Sequence, residues 1–389
     1  MALAGLDRPA MGWNSWNCLR CANLTETAVV EMADALVASG MRAAGYRYVV
    51  VDDCWQAHRR GPDGRLRAHP GRFPSGMAAL GEELHRRGLG FGLYLAPGRR
   101  TCAEIYDRYG ERGGLGSFGH EELDLDTLLS WGVDYLKYDW CQAGKNGTGL
   151  REPEAFGRMS ALIAGAERDV VFSVSEYGRS RPWEWAPGVA HSWRTTGDIS
   201  PHWWRMLRIA HRTAGCASAS AAAAEPGRIG RNDPDMLEVG NGRLVEDAAW
   251  SHMAMWAMLG APLMAGNDLR TMTGETHGIL TDPVLIAVDQ DGSRTPARLV
   301  RSRMGLDVWS RDLVDGPALL VVNTLSFARR VNLAELTGHR LQGATLHTRD
   351  RETAWAPEVR LPGRGAVLAV GHTDDGHPAD GHRAVRPTR

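Results

Sequence analysis

Eight short apolar runs, rich in β-branched or small residues, recur along the chain at 11–15, 46–51, 89–95, 133–138, 170–174, 191–195, 217–224 and 261–266, and longer helical-period stretches separate most of them. Thr25 to Ser39 places Val30, Ala33 and Val37 on one helical face and stops at Gly40, a natural C-cap. The segments 78–87, 121–131 and 154–167 read as helices ahead of the third, fourth and fifth runs. Strand-helix alternation of this count predicts an α/β fold, the (β/α)8 TIM barrel. A doubly wound sheet is the alternative, but it would carry a Gly-rich phosphate turn after its first strand, and none is present.

The pattern changes after Gln290-Asp291-Gly292. Short runs at 299–303, 306–310, 318–323, 330–333, 344–348 and 366–370 are separated by turn residues without a helical period. They predict a C-terminal antiparallel β domain of sandwich type. The expected division is a catalytic barrel over 1–292, a β domain over 293–371 and a disordered tail over 372–389, rich in Gly, His, Asp, Pro and Arg. The Ala/Ser run at 217–224 suits a crowded barrel strand.

Composition narrows the function classes. Apolar residues make up 43% and charged residues 23% of 389, the balance of an ordinary soluble protein. A net charge of −1, without a block of like charges, argues against a nucleic-acid partner. No apolar run is long enough to span a bilayer, so no membrane role is expected. The N-terminus lacks the basic start and apolar centre of a secretory signal, which implies a cytoplasmic protein, or a secreted one whose signal has been removed. Six cysteines do not make a disulfide scaffold, and the one CxxC, Cys18 to Cys21, has no second ligand pair at zinc spacing. Neither a metal nor an organic cofactor is expected. Oligomeric state is not legible.

Two runs end in reactive groups: Val49-Val50-Val51-Asp52-Asp53-Cys54-Trp55 and Tyr135-Leu136-Lys137-Tyr138-Asp139-Trp140-Cys141. Burying unpaired Lys or Asp is costly, so such strand ends open where partners or solvent reach them. With Trp16, Tyr94, Glu176-Tyr177, Arg194, Asp198 and Asp235 they give the expected barrel rim many carboxylates, several aromatics and few histidines. That mixture suits sugars, and cleaving a glycosidic bond takes two carboxyl groups, one protonated and one ionised. Which pair acts stays open at this level. Singly, each motif has an ordinary reading: Trp16 as core, Asp52-Asp53 as a cap, Lys137 with Asp139 or Arg194 with Asp198 as structural ion pairs, and Asp233-Pro234-Asp235 as a turn.

Taken together the blocks resemble a known family. Met11-Gly12-Trp13-Asn14-Ser15-Trp16, the Asp52-Asp53 and Lys137-Tyr138-Asp139 blocks, Ser192-Trp193-Arg194-Thr195-Thr196-Gly197-Asp198-Ile199, Asn232-Asp233-Pro234-Asp235-Met236, and Ala261-Pro262-Leu263 through Arg270 are similar, in order, to the signature blocks of glycoside hydrolase family 27, the α-galactosidases or melibiases. The resemblance implies a retaining exo-glycosidase that removes terminal α-D-galactosyl residues through a covalent glycosyl-enzyme. It implies Asp139 as nucleophile and Asp198 as acid/base. Lys137, on the same strand face as Asp139, would help keep it ionised, and Asp198 should have the higher pKa of the pair. Asp52 and Asp53 would grip the 4- and 6-hydroxyls, Lys137 the 3- and 4-hydroxyls, and Arg194 and Asp235 the side near O2 and O3. Trp16, Tyr94 and Met236 would be walls. The resemblance further implies disulfides Cys21–Cys54 and Cys102–Cys141, reduced if the protein is cytoplasmic. The alternatives on the same scaffold are an α-N-acetylgalactosaminidase and a β-L-arabinopyranosidase, and from another class a non-catalytic carbohydrate-binding protein. Intact Asp139 and Asp198 argue against the last.

The chain departs from the family pattern around the sugar pocket. Ala96 replaces a common Asp, Ser175-Glu176-Tyr177 replaces Cys-Glu-Trp in the region facing the sugar's 2-position, and Arg231 replaces a Trp. Arg231 is expected to line the aglycone side and to favour a polar or acidic leaving group.

Overall fold

Short segments rich in Val, Leu and aromatic residues pair edge to edge in chain order. In the computed structural model, which describes residues 3, 6–110, 114–145, 148–216, 230–337 and 343–371, eight strands form one sheet: β1 (Met11–Asn14), β2 (Tyr48–Val51), β3 (Gly90–Leu95), β4 (Tyr135–Asp139), β5 (Val171–Ser175), β6 (Ser192–Arg194), β7 (Arg231–Asp233) and β8 (Leu263–Ala265). Every pairing from β1 to β7 is parallel, and β8 returns to lie parallel beside β1. A parallel bridge between Leu237 and Ala265, with Leu237 N donating to Met264 O at 2.8 Å, closes the remaining side. The sheet is thus a (β/α)8 barrel.

The helices follow their sequence signals. Thr25 caps the helix Glu26–Ala38 by accepting from Ala28 N at 3.2 Å, and three acidic residues occupy the first turn of Glu121–Ser130, where the helix dipole favours them. The helix Glu246–Leu259 is buried continuously from Ala248 to Leu259, because the helices Trp203–Gly215, Gly274–Leu280 and Pro283–Asp289 and strands of the β domain pack around it.

The seventh strand is not where the Ala/Ser run predicted it. Positions 217–224 lie outside the described residues, and β7 is the polar triplet Arg231-Asn232-Asp233. Its neighbours supply the pairing, so it needs no apolar pattern of its own.

The remaining strands are antiparallel: β9 (Arg298–Arg303), β10 (Leu306–Leu313), β11 (Gly316–Asn323), β12 (Arg329–Asn332), β13 (Thr345–His347), β14 (Glu352–Ala354), β15 (Glu358–Leu361) and β16 (Ala366–Val370). Six of them form one sheet in the order β14-β13-β16-β11-β10-β9, and β12 pairs with β15 in a second. Alternation sends Trp309, Leu320 and Leu368 into the barrel-side core, while Val308, Val321 and Val367 pack against Val331 and Leu361 of the small sheet. That is a sandwich. Two strands, β14 and β15, and the short helix Leu333–Thr337 are additions to the expected set. Arg311 ties the two parts together, its Nη1 donating to Ala257 O at 2.7 Å and Val288 O at 2.8 Å. The expected tail over 372–389 lies outside the described residues. Among the described residues no helix is long and apolar enough to cross a membrane.

Candidate active site

The C-terminal ends of the barrel strands surround a cleft of about 550 Å³. Residues two apart on β4 share a face, so Lys137 and Asp139 both enter it. The chain leaving β2 supplies Asp52 and Asp53. Lys137 Nζ sits 2.7 Å from Asp52 Oδ2, which also accepts from Asn14 Nδ2 at 2.8 Å. Burial works against the ammonium charge, but Asp52, Asp139 and Asp235 outweigh it and hold the Lys137 pKa above its usual value. Asp53 spends both oxygens on backbone amides, Cys54 N at 2.8 Å and Ala103 N at 2.7 Å. Burial pushes its pKa up to about 7.

Asp139 is buried at the end of β4. Its Oδ1 accepts from the Tyr177 hydroxyl at 2.5 Å, and its Oδ2 lies 3.9 Å from Cys102 Sγ. Burial raises its pKa to about 6 against the lowering effect of Lys137 and Tyr177. Asp198, on the loop after β6, is different: its side chain is 77% exposed and lies 3.3 Å from Arg194 Nη2. Partial desolvation raises its pKa, yet Arg194, Lys137 and Arg205 outweigh that and hold the carboxyl below its usual value. The expected order of the two pKa values is therefore reversed. The cause is geometric: Asp139 is dry, and Asp198 is wet and faces cations.

Arg194 anchors the far wall. Its Nη2 is 2.8 Å from Asp235 Oδ2, which also accepts from Ile199 N at 2.8 Å. Asp235 and Tyr177 have left-handed backbones, φ +88° and +68°, which direct their side chains into the cleft from tight turns. Trp16 and Met236 form walls. Tyr94, its ring centroid 5.7 Å from Lys137 Nζ, places its hydroxyl oxygen 2.9 Å from Cys141 Sγ. Disulfides join Cys21 to Cys54 and Cys102 to Cys141. Among the described residues Cys102, Asp139 and Cys141 form one converging group of metal-type ligands, but the two sulfurs are bonded to each other and offer no thiolate.

Four residues singled out in the sequence fall outside the cleft: Ala96 is buried beside Tyr94 and Cys141, and the others are Ser175, Glu176 and Arg231. Ser175 is buried beneath it, lining a floor cavity of about 30 Å³ with Lys137, Arg194 and Asp235. Glu176, the next residue, points to the opposite side of β5, where its Oε2 accepts from Ser180 N and Oγ at 2.8 and 2.9 Å. Burial pushes its pKa up to about 7. Arg231 opens β7, at the far end of the barrel from the cleft, and donates to Asp7 O at 2.9 Å. It cannot line the aglycone side, so that expectation is overturned: the residue starting a barrel strand sits at the opposite end from the rim. A cavity of about 610 Å³ lies at that end, where Asp134 ties His85 and the Phe91 amide at 2.7 and 2.8 Å. Such ties at the bottom of a barrel serve stability.

Sequence reading missed Arg20, Tyr106, Gln142 and Arg179 at the cleft mouth. Arg20 stacks over Trp16 at 5.0 Å and Arg179 over Tyr177 at 5.3 Å. An arginine next to a wall aromatic was the only available signal, and it is weak.

A barrel whose rim pairs carboxylates with cations and aromatic walls has the architecture of a glycoside hydrolase. Comparison with known proteins is specific. Residues 8–291 match the family described as alpha galactosidase A. The chain is 42% identical to alpha-galactosidase 2 of Arabidopsis thaliana over 78% of this chain and 72% of that protein. It is 42% identical to alpha-galactosidase A of Cellvibrio japonicus over 81% and 76%. The crystal structure of alpha-galactosidase I from Mortierella vinacea superposes with a TM-score of 0.80 at 26% identity, covering 94% of this chain and 98% of that one. The chain belongs to the α-galactosidase family, glycoside hydrolase family 27.

Proposed function

We propose that this enzyme releases terminal α-D-galactosyl residues with retention, using Asp139 as nucleophile and Asp198 as acid/base. The observation that carries the assignment is the contrast within one cleft between a buried carboxylate held beside Lys137 and an exposed carboxylate on the facing loop. Asp139 Oδ2 attacks the anomeric carbon while Asp198 gives its proton to the leaving oxygen. In the second step Asp198 takes a proton from water, whose oxygen bonds to the anomeric carbon as the ester to Asp139 breaks.

The reversed pKa order has a physical consequence. A bound sugar covers Asp198 and removes water from it, which favours its neutral form. Only the fraction with the proton on Asp198 and the charge on Asp139 reacts. Asp52 and Asp53, backed by Lys137, hold the galactose side that carries O4 and O6. Arg194 and Asp235 hold the opposite side, with Trp16, Tyr94 and Met236 as walls.

The catalytic unit in this reading is the barrel over 1–292, with 293–371 as a supporting β domain. The two disulfides favour an oxidising compartment. The test is release of nitrophenol from α-galactoside, α-N-acetylgalactosaminide and β-L-arabinopyranoside, run beside Asp139→Asn. The expected result is turnover of the α-galactoside and loss of roughly four orders of magnitude in the variant. Equal, negligible release by both proteins from all three would sink the reading.

A further inference from the structure

We propose that Tyr177 is a positioning residue for the nucleophile: its hydroxyl holds Asp139 Oδ1, leaves Oδ2 free to attack, and assists breakdown of the glycosyl-enzyme more than its formation. The inference rests on Asp139 being the nucleophile. It begins with the contact at 2.5 Å, the one hydrogen bond that Asp139 Oδ1 accepts among the described residues. Among the described residues the one polar contact of the other oxygen is the Cys102 sulfur, at 3.9 Å. A carboxylate held by one oxygen in a dry cleft has its second oxygen aimed by that bond.

The chain goes to some length to place this hydroxyl. Tyr177 has φ +68° and Gly178 φ +72°, two left-handed residues in succession. A Cβ at Gly178 would lie 2.0 Å from Thr195 O, so the turn must be tight against β6 to deliver the ring. A bulky residue adopts this backbone only where its surroundings hold it there. Here the Arg179 guanidinium covers the ring at 5.3 Å and the Cys102 sulfur lies 3.4 Å from the hydroxyl. The resemblance implies a tryptophan at this position, which would offer an indole N–H in place of the phenolic donor.

A hydrogen bond to a carboxylate strengthens as charge develops on it. When the glycosyl-enzyme forms, Oδ2 bonds to the anomeric carbon and Asp139 loses its charge, so the Tyr177 bond weakens. When water displaces Asp139, the electron pair of the ester bond returns to the carboxylate, and the Tyr177 bond strengthens on the way. Removing the hydroxyl therefore slows the second step selectively. It also removes one of the groups that keep Asp139 ionised. Of the other groups facing it, Lys137 on its own strand lowers its pKa while the carboxylates Asp52 and Asp198 raise it, and Tyr94 on β3 and Arg194 on β6 complete the surroundings. Burial keeps Tyr177 itself protonated, its pKa far above the usual phenol value, so it stays a donor.

Tyr177→Phe keeps the ring and the backbone cost and deletes only the donor. With a dinitrophenyl α-galactoside, kcat should fall roughly ten- to hundredfold, while kcat/KM changes much less and KM falls with kcat. Stopped-flow traces should gain a burst, and the glycosyl-enzyme should become visible by intact mass. The limb of the kcat/KM profile near pH 6 should move to higher pH. If the Phe variant does not fold, fluorotyrosine at position 177, a stronger donor, should move that limb the other way. Parallel losses in kcat and kcat/KM with an unmoved limb assign the hydroxyl a packing role and overturn the proposal. An inactive wild-type enzyme overturns the nucleophile assignment instead.

Discussion

The ammonium of Lys137 is paired with Asp52 at 2.7 Å, although Asp139 stands on the same face of the same strand. Asp52 is the one carboxylate within ion-pairing distance of Lys137 among the described residues. The lysine thus acts on the proposed nucleophile through space and on the proposed O4/O6-gripping acid by contact. Lys137→Met leaves Asp52 buried with only neutral donors, Asn14 Nδ2 and Asp53 N, and breaking one side of a buried pair costs about 3 to 5 kcal/mol. The variant should be less stable and lose roughly two orders of magnitude or more in kcat/KM. Adding Asp52→Asn removes the stranded charge, so the double variant should regain stability without regaining activity. Denaturation curves beside kinetics decide it; a stable, active single variant would contradict the pairing.

The pH profile should carry the signature of the reversed carboxylates. Asp139 titrates at about 6, while cations hold Asp198 below its usual value. The productive free enzyme carries one proton on the pair, so kcat/KM should be bell-shaped, falling above about pH 6 as that proton is lost. It should fall again on the acid side when both groups are protonated. Arg205 donates from Nε to Asp198 O at 2.9 Å, and its charge contributes to the lowering. Arg205→Gln should raise the Asp198 pKa, move the acidic limb up and narrow the bell. An acidic limb that moves down in this variant would show that Arg205 does not act on Asp198 through charge.

How far this site was legible in the sequence depended on what each residue answers to. Strand ends such as Asp52 and Asp139 were readable because an acid after an apolar run is expensive unless it opens into a site. The third and fifth strands were readable because burial on both faces leaves largely apolar runs. β7 was not, since Arg231-Asn232-Asp233 owes its pairing to β6 and has no pattern of its own. Nor were β14 and β15, whose exposed, charged residues hide the alternation. Which of Glu176 and Tyr177 enters the cleft turned on one left-handed φ, a property that Tyr does not advertise. Arg231 was misread because its chemistry was weighed without its register: a strand's first residue lies at the wrong end of the barrel.

Stability should decline from mildly acidic to mildly alkaline pH. Burial raises Asp53, Glu176, Glu238 and Asp289 to about 7, and Asp139 and Asp233 to about 6. Unfolded carboxyls titrate near about 4, so between these values the folded state binds more protons. The stabilisation is complete below the unfolded pKa and is lost as pH rises through 6 and 7. His252, which burial lowers to about 3, and His69, which burial also lowers, oppose this below their unfolded values, but they are two groups against six. Thermal midpoints at pH 5, 6.5 and 8 should fall in that order. Asp289→Asn, which mimics the protonated form of a fully buried carboxyl, should flatten the slope. Midpoints that rise across the range would refute the argument.

The two disulfides should be separable by the kinetic constant each one supports. Cys102–Cys141 closes a separation of 39 residues and Cys21–Cys54 one of 33, so each should contribute about 3 to 4 kcal/mol through loop entropy. Their neighbours differ. Cys102 Sγ lies 3.9 Å from Asp139 Oδ2, and Cys141 Sγ 2.9 Å from the Tyr94 hydroxyl oxygen, so this pair braces the proposed nucleophile. Cys54 instead follows Asp53 and donates its amide to that carboxylate at 2.8 Å, so the other pair braces the proposed O4/O6 grip. Cys102→Ser with Cys141→Ser should therefore lower kcat chiefly, and Cys21→Ser with Cys54→Ser should raise KM chiefly, at comparable losses of thermal midpoint. Assays well below both midpoints keep unfolding out of the comparison. If both variants change the same constant by the same factor, the bridges act only through global stability and the local bracing argument fails.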